Sequence, residues 1–184
     1  MPPDSSPPLL VLLGFMGAGK STQGRLLASR LHCPFADLDE TIACAHAPIP
    51  ELFQQHGESG FRQIEHAQLA NELQTLPRPS VLSLGGGAFL QPENRLLIER
   101  SQATTIFLDA PFELLRERVY GTGHLRPLAG DEERLRQLYE QRRPVYLQAH
   151  YTFTTSVGHP SLLLTELVHL ALRLGAGAEP RDTL

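Results

Sequence analysis

Leu9-Leu10-Val11-Leu12-Leu13-Gly14-Phe15-Met16-Gly17-Ala18-Gly19-Lys20-Ser21-Thr22 is the stretch on which the fold turns. Five consecutive apolar residues read as a strand buried on both faces. The G-x-x-x-x-G-K-S that follows opens an amphipathic pattern running to Leu31. Strand, glycine-rich turn and helix together form the setting in which this motif cradles phosphate. Backbone amides and the helix N-terminus supply partial positive charge, Lys20 reaches the β- and γ-phosphates, and the Ser21 hydroxyl meets Mg²⁺. Gly17, Ala18, Gly19, Lys20, Ser21 and Thr22 are therefore the expected ATP phosphate contacts. A flexible glycine-rich turn would share the composition, but not the strand and helix on either side.

Outward from this loop, strand-like runs recur at Phe35–Leu38, Ser80–Leu84, Thr104–Leu108 and Tyr151–Thr155. Helical patterns fall between and after them, at 19–31, 49–56, 59–75, 92–101, 111–119, 131–148 and 160–174. Alternation of this kind predicts an α/β fold of three layers, with a five-stranded parallel sheet flanked by helices. Residues 1–8 and 175–184 read as flexible ends around a single domain over 9–174. The 184 residues suit that one domain, and 41% hydrophobic with 20% charged residues is ordinary for a globular chain.

A formal net charge of −4 argues against a dedicated nucleic-acid or membrane-surface binder. Cations for an anionic ligand must then be gathered locally. Lys20 is the chain's only lysine, so the remaining strong cations are arginines. Cys33 and Cys44 form no C-x-x-C pair, which points away from a disulfide scaffold or zinc site and toward small packing roles in a reducing cytoplasm. The apolar run at Leu9–Met16 follows Asp4 with no Lys or Arg, unlike a secretory signal. No apolar run approaches the roughly 20 residues of a membrane span.

Asp37-Leu38-Asp39 ends the second predicted strand, where residues two apart face the same side. One carboxylate would serve Mg²⁺ and the other a substrate hydroxyl, although Asp39 could equally cap a helix. Phe61-Arg62-Gln63-Ile64-Glu65 puts Arg62 and Glu65 on one helical face, as a surface pair would also be. Gly85-Gly86-Gly87 closes the third strand with amides open to a ligand, or as a simple turn. Arg126-Pro127-Leu128 and Arg142-Arg143-Pro144-Val145-Tyr146 bring cations to the C-terminal half.

In this order, the phosphate loop, Asp-x-Asp, Phe-Arg-x-x-Glu, Gly-Gly-Gly, Arg-Pro-Leu and Arg-x-Pro-x-Tyr resemble shikimate kinases over roughly residues 9–172. The resemblance implies transfer of the γ-phosphoryl of ATP to the 3-hydroxyl of shikimate by a cytoplasmic, monomeric P-loop kinase with a mobile lid. It implies a substrate-binding helical segment at about 39–67 and a lid at about 118–130. Asp39, Lys20 and Arg126 would be catalytic, and Asp37 would join Ser21 at Mg²⁺. Arg62 and Arg142 would clamp the shikimate carboxylate, with Gly85, Gly86, Gly87, Glu65, Phe53 and Phe61 around the same ligand. Arg126 would reach the phosphates from the lid. The family's adenine-stacking arginine lies seven residues before it, at Val119 here, and Arg118 takes the role if the lid is one residue longer. Pro160 would wall the adenine from the other side.

Two other readings share the fold. A kinase for another acceptor such as gluconate is disfavoured by the Asp-x-Asp, Gly-Gly-Gly and Arg62/Arg142 set. A regulatory module that senses shikimate without turnover is disfavoured by the presence of Lys20, Asp39 and Arg126. A guanine-reading Asn-Lys-x-Asp motif does not occur.

Overall fold

In the central strand β1, Leu9–Leu13, every residue is buried, with at most 1% of its surface exposed. Since successive strand side chains point to opposite faces, both faces of the sheet are covered at this strand. The computed structural model describes residues 8–121, 132–155 and 160–176. Within them β2 is Phe35–Asp37, β3 Ser80–Ser83, β4 Thr104–Asp109 and β5 Tyr151–Thr154. All five strands are parallel in the order β2-β3-β1-β4-β5. The order reverses direction around β1, and ligands of open α/β sheets bind beyond the strand C-termini at such a point.

Helix α1, Lys20–Leu31, starts from Gly19 in a left-handed conformation with no side-chain cap, so its first amides are not spent on a capping side chain. It stops at His32, also left-handed, whose amide returns to the carbonyls of Ala28 and Ser29. Helix α2, Leu38–Ala45, is capped by Asp37, whose carboxylate accepts from the amides of Asp39 and Glu40 at 3.1 and 3.4 Å. The extended Asp37-Leu38-Asp39 expected from the sequence is thus corrected. The strand ends at Asp37, and Asp39 lies in the first turn of a helix that the sequence reading did not include. Asp37, rather than Asp39, is the cap.

The two helices expected at 49–56 and 59–75 run together as α3, Ile49–Thr75, bent at Gly57, where φ is 65° and ψ −176°. A 3₁₀ turn, Ala88–Leu90, follows the glycine run and leads to α4, Pro92–Arg100. The remaining helices are α5, Phe112–Gly121, α6, Glu132–Tyr146, and α7, Pro160–Arg173. The expected lid lies, from residue 122 onward, outside the described residues, and Arg126 with it. No helix among the described residues is long and apolar enough to cross a membrane. Cys33 is half-buried against the core, as a packing residue would be, whereas Cys44 is exposed.

Leu12 is fully buried in β1, paired in register with Ser83 of β3 and Ile106 of β4. Leu12→Ala should lower the unfolding free energy by about 2–5 kcal/mol in urea titrations. A loss below about 1 kcal/mol would mean that β1 is not the centre of the core.

Candidate active site

Gly17 and Gly19 hold positive φ, 78° and 89°, which lets the loop between β1 and α1 curl without Cβ strain. Lys20, 9% exposed, donates from Nζ to the Phe15 carbonyl at 3.0 Å and so lies back along the loop. On the far side, Ser21 Oγ donates to Asp37 Oδ2 at 2.5 Å. A hydroxyl and a carboxylate oxygen at one point fit Mg²⁺, which takes hard oxygen donors at one or two protein positions and fills the rest with water and phosphate. Among the described residues no group of three or more His, Cys, Asp or Glu could hold a metal.

The three glycines after β3 each meet a different charged residue. A Cβ at Gly85 would collide with the Asp39 carboxylate, and one at Gly87 with the Arg62 guanidinium. One at Gly86 would lie 3.7 Å from Arg142 Nη1 and 3.7 Å from the Met16 amide of the phosphate loop. A side chain at Gly85 or Gly87 would displace the charged group packed against it, whereas one at Gly86 would meet Arg142 and the Met16 amide at ordinary contact distance. Asp39 of α2, Arg62 of α3 and Arg142 of α6 come together here although 103 positions separate the first and last in sequence (142 − 39).

Burial sets the electrostatics. Arg142 is 9% exposed and the Arg62 side chain 15%. The Nε of each is buried with no hydrogen-bond partner among the described residues. Arg62 Nη1 donates to Glu65 Oε2 at 2.8 Å and Nη2 to Glu58 at 3.3 Å. Burial pulls the Arg62 guanidinium down, but Glu65 and Glu58 outweigh it and hold it above its ordinary value. Burial pushes the Glu65 carboxyl above the usual range, and Asp39 adds to that push while Arg62 and Arg142 oppose it. Two desolvated guanidiniums with unused N–H groups make a site prepared for a further anion. Phe61, 3% exposed, stacks on Phe53 at 4.4 Å and stands 5.3 Å beneath the Arg62 guanidinium, so it is both core and site wall.

Arg118 donates from Nη1 to the Gly17 carbonyl at 2.9 Å, whereas Val119 is buried, 6% exposed, in the core. Both reach the phosphate loop at Gly17, Arg118 by this hydrogen bond and Val119 by its Cγ2 methyl, 3.7 Å from where a Cβ at Gly17 would stand. Pro160 opens α7, and residues 156–159 before it lie outside the described residues. Thr22 follows Ser21 in the first turn of α1 and is exposed.

Three contacts were not assigned from the sequence. Phe15 is 2% exposed, edge-on to Tyr139 at 5.6 Å, with Arg142 5.9 Å from its ring centre, so the phosphate loop touches α6 directly. Arg143, adjacent to Arg142, points elsewhere and forks onto Asp109 at the end of β4, at 3.1 and 2.7 Å. Tyr146 donates to the Gly86 carbonyl at 2.5 Å. Only the last carried a signal, because a buried phenol needs a partner for its hydroxyl.

Burial pushes the Tyr146 hydroxyl from an ordinary 10 up to about 12, with Arg142 and Arg62 opposing. Between these values the folded chain keeps a proton that the unfolded chain releases, so this group's stabilisation is full below pH 10 and is lost as pH rises through about 12. Tyr146→Phe should cost about 1 kcal/mol near neutral pH, from the lost hydrogen bond. Its stability should then fall less steeply in alkali than that of the unaltered protein, by up to about 1.4 kcal/mol per pH unit. Urea unfolding at a series of alkaline pH values measures both. Parallel stability curves would show that the phenol titrates alike in the folded and unfolded chains.

The sequence model of the shikimate kinase family matches residues 16–171. A shikimate kinase of Neisseria meningitidis serogroup C is 49% identical over 143 residues, spanning 76% of this chain and 82% of the relative. One of Burkholderia thailandensis is 40% identical over 176 residues, spanning 93% and 94%. The solved structure of shikimate kinase from Acinetobacter baumannii in complex with shikimate superposes with a TM-score of 0.82 at 36% identity, covering 92% of this chain and 95% of that one. With the phosphate loop, the paired aspartates and the glycine run all in place, the chain belongs to the shikimate kinase family.

Proposed function

We propose that the protein transfers the γ-phosphoryl group of ATP to the 3-hydroxyl of shikimate, giving shikimate 3-phosphate and ADP. The observation that carries this reading is the convergence of Asp39, Arg142 and Arg62 on three successive glycines, beside a phosphate loop. The ring carboxylate lies between Arg62 and Arg142, whose planar forks suit it better than ammonium groups would. Glu65 keeps Arg62 extended toward it. Gly85, Gly86 and Gly87 line the hydroxyl-bearing edge of the ring, with Phe53 and Phe61 against its apolar side.

The 3-hydroxyl donates a hydrogen bond to Asp39, which aims the oxygen at the γ-phosphorus. A bond forms from that oxygen to phosphorus, the bond from phosphorus to the β,γ-bridging oxygen breaks, and ADP leaves with the electron pair. A loose transition state asks little of a base, so Asp39 acts first by orientation and takes the proton as the new bond completes. Lys20 offsets charge on the transferring group, and Arg126 joins it from the lid. Ser21 and Asp37 would hold Mg²⁺, which when bound would neutralise phosphate charge. The amides of Gly17, Ala18 and Gly19 and the hydroxyl of Thr22 hold the remaining phosphate oxygens. Arg118 stacks on adenine, opposite Pro160. Two free thiols suit a reducing cytoplasm.

Release of ADP should depend on shikimate and not on gluconate at equal concentration in a coupled assay. Lys20→Ala should abolish turnover in a folded protein. Arg62→Lys, which keeps the charge but not the fork, should weaken shikimate binding on the order of 10- to 100-fold in calorimetry. ATP affinity without shikimate should be unchanged. Equal shikimate affinity in the two proteins would sink the clamp.

A further inference from the structure

Asn94 is fully buried on α4, 0% exposed. Its Nδ2 donates to the Ala88 carbonyl at 2.9 Å. Because a carbonyl can only accept, this bond fixes the orientation of the amide and leaves Oδ1 facing His66. His66 Nδ1 lies 2.6 Å from that oxygen. An amide oxygen also only accepts, so His66 carries its proton on Nδ1 and donates. The chain of bonds therefore runs in one direction, from His66 of α3 through Asn94 of α4 to Ala88 of the 3₁₀ turn.

Its endpoints flank the acceptor groups. His66 follows Arg62 by four residues on the same face of α3. Ala88 follows Gly87, the glycine against which the Arg62 guanidinium is packed. Helix α3 thus meets the glycine run twice, once by direct contact at Arg62 and once through the buried amide. Arg95, next to Asn94, donates to the carbonyls of Phe89 and Leu90 at 3.0 and 2.9 Å and fixes the other end of the same turn.

We propose that Asn94, oriented by His66, is a positioning residue that sets the spacing between the Arg62 guanidinium and the Gly85–Gly87 surface, and so tunes acceptor affinity without touching the acceptor. The inference rests on the acceptor reading given above. Among the described residues the bonds of His66 and Asn94 lead to the glycine turn rather than to the phosphate loop, which places the effect on the acceptor side. A purely structural role would instead lower stability and leave ligand affinity alone.

The test begins with calorimetric titration of the unaltered protein with shikimate. Binding there upholds the acceptor reading, so that the variants then report on Asn94 alone, and absence of binding overturns both. Asn94→Asp keeps size and the acceptor toward His66 but sets a carboxylate against the Ala88 carbonyl. It should raise KM for shikimate about 5- to 20-fold, with KM for ATP within about twofold. His66→Asn places an amide N–H where Nδ1–H stood and should retain wild-type KM. His66→Leu removes the donor at a partly exposed position, and should raise KM for shikimate in the same selective manner. Selective loss in His66→Leu with rescue in His66→Asn supports the proposal even if Asn94→Asp does not fold. Unchanged shikimate KM in folded His66→Leu, equal losses for both substrates, or equal losses in His66→Leu and His66→Asn would overturn it.

Discussion

The Asp37 carboxylate is the contact on which the two halves of the site depend. One oxygen caps α2 and the other accepts from Ser21 in the first turn of α1. A single side chain therefore ends β2, starts the helix that carries Asp39, and ties that helix to the phosphate loop. The cap decides where Asp39 points. Without it, the first turn of α2 would lose the partner for two amides, typically about 1 kcal/mol, and Asp39 would lose its fixed place against Gly85. The placement of Asp39 is thus inherited from an ordinary helix-capping bond.

The cluster of Arg62, Glu65 and Arg142 shows the opposite economy, with charged side chains buried together. Glu65 is 1% exposed, and Arg62 and Arg142 are nearly as enclosed. Desolvating these groups costs free energy that their mutual attraction only partly returns, and two guanidinium N–H groups are left without partners. Such an arrangement is better understood as preparation for an anion than as a source of stability. Sites of this kind sit at the low end of what a fold tolerates, and substitutions that relieve the burial stabilise the chain while they weaken the site.

Much of this was legible in the sequence because it rests on local chemistry. The all-apolar Leu9–Leu13 run gave a central parallel strand, since only a strand covered on both faces leaves no polar alternation. Gly17 and Gly19 were readable because their positive φ disfavours a side chain, and Gly85 and Gly87 because a Cβ there would collide with Asp39 and Arg62. The Asp-x-Asp segment was misread for a physical reason: a spacing of two fits one face of a strand and equally a cap followed by the second residue of a helix. Helix α2 is only eight residues long and buries just Leu38 and Ile42, too brief for its period to register. Arg142 and Arg143 could not be told apart by type. Their roles diverge only because a helix turns about 100° per residue, sending one toward Gly86 and the other to Asp109. The bond from His66 to Asn94 spans 28 positions and leaves no pattern in the chain.

A chain whose one lysine is enclosed beneath its own glycine loop is nearly silent to amine chemistry. Reagents that couple proteins through surface lysines find here a single side-chain amine, 9% exposed and hydrogen-bonded to Phe15. Thiol chemistry meets a simpler landscape. Cys44 is exposed near the end of α2, while Cys33 is half-enclosed and burial raises its thiol above the usual range, leaving it less thiolate to react. A maleimide dye would therefore settle mainly on Cys44, five residues beyond Asp39 and on the same short helix. The molecule comes with one natural attachment point for a fluorophore, placed to report on the element that carries the acceptor-side carboxylate.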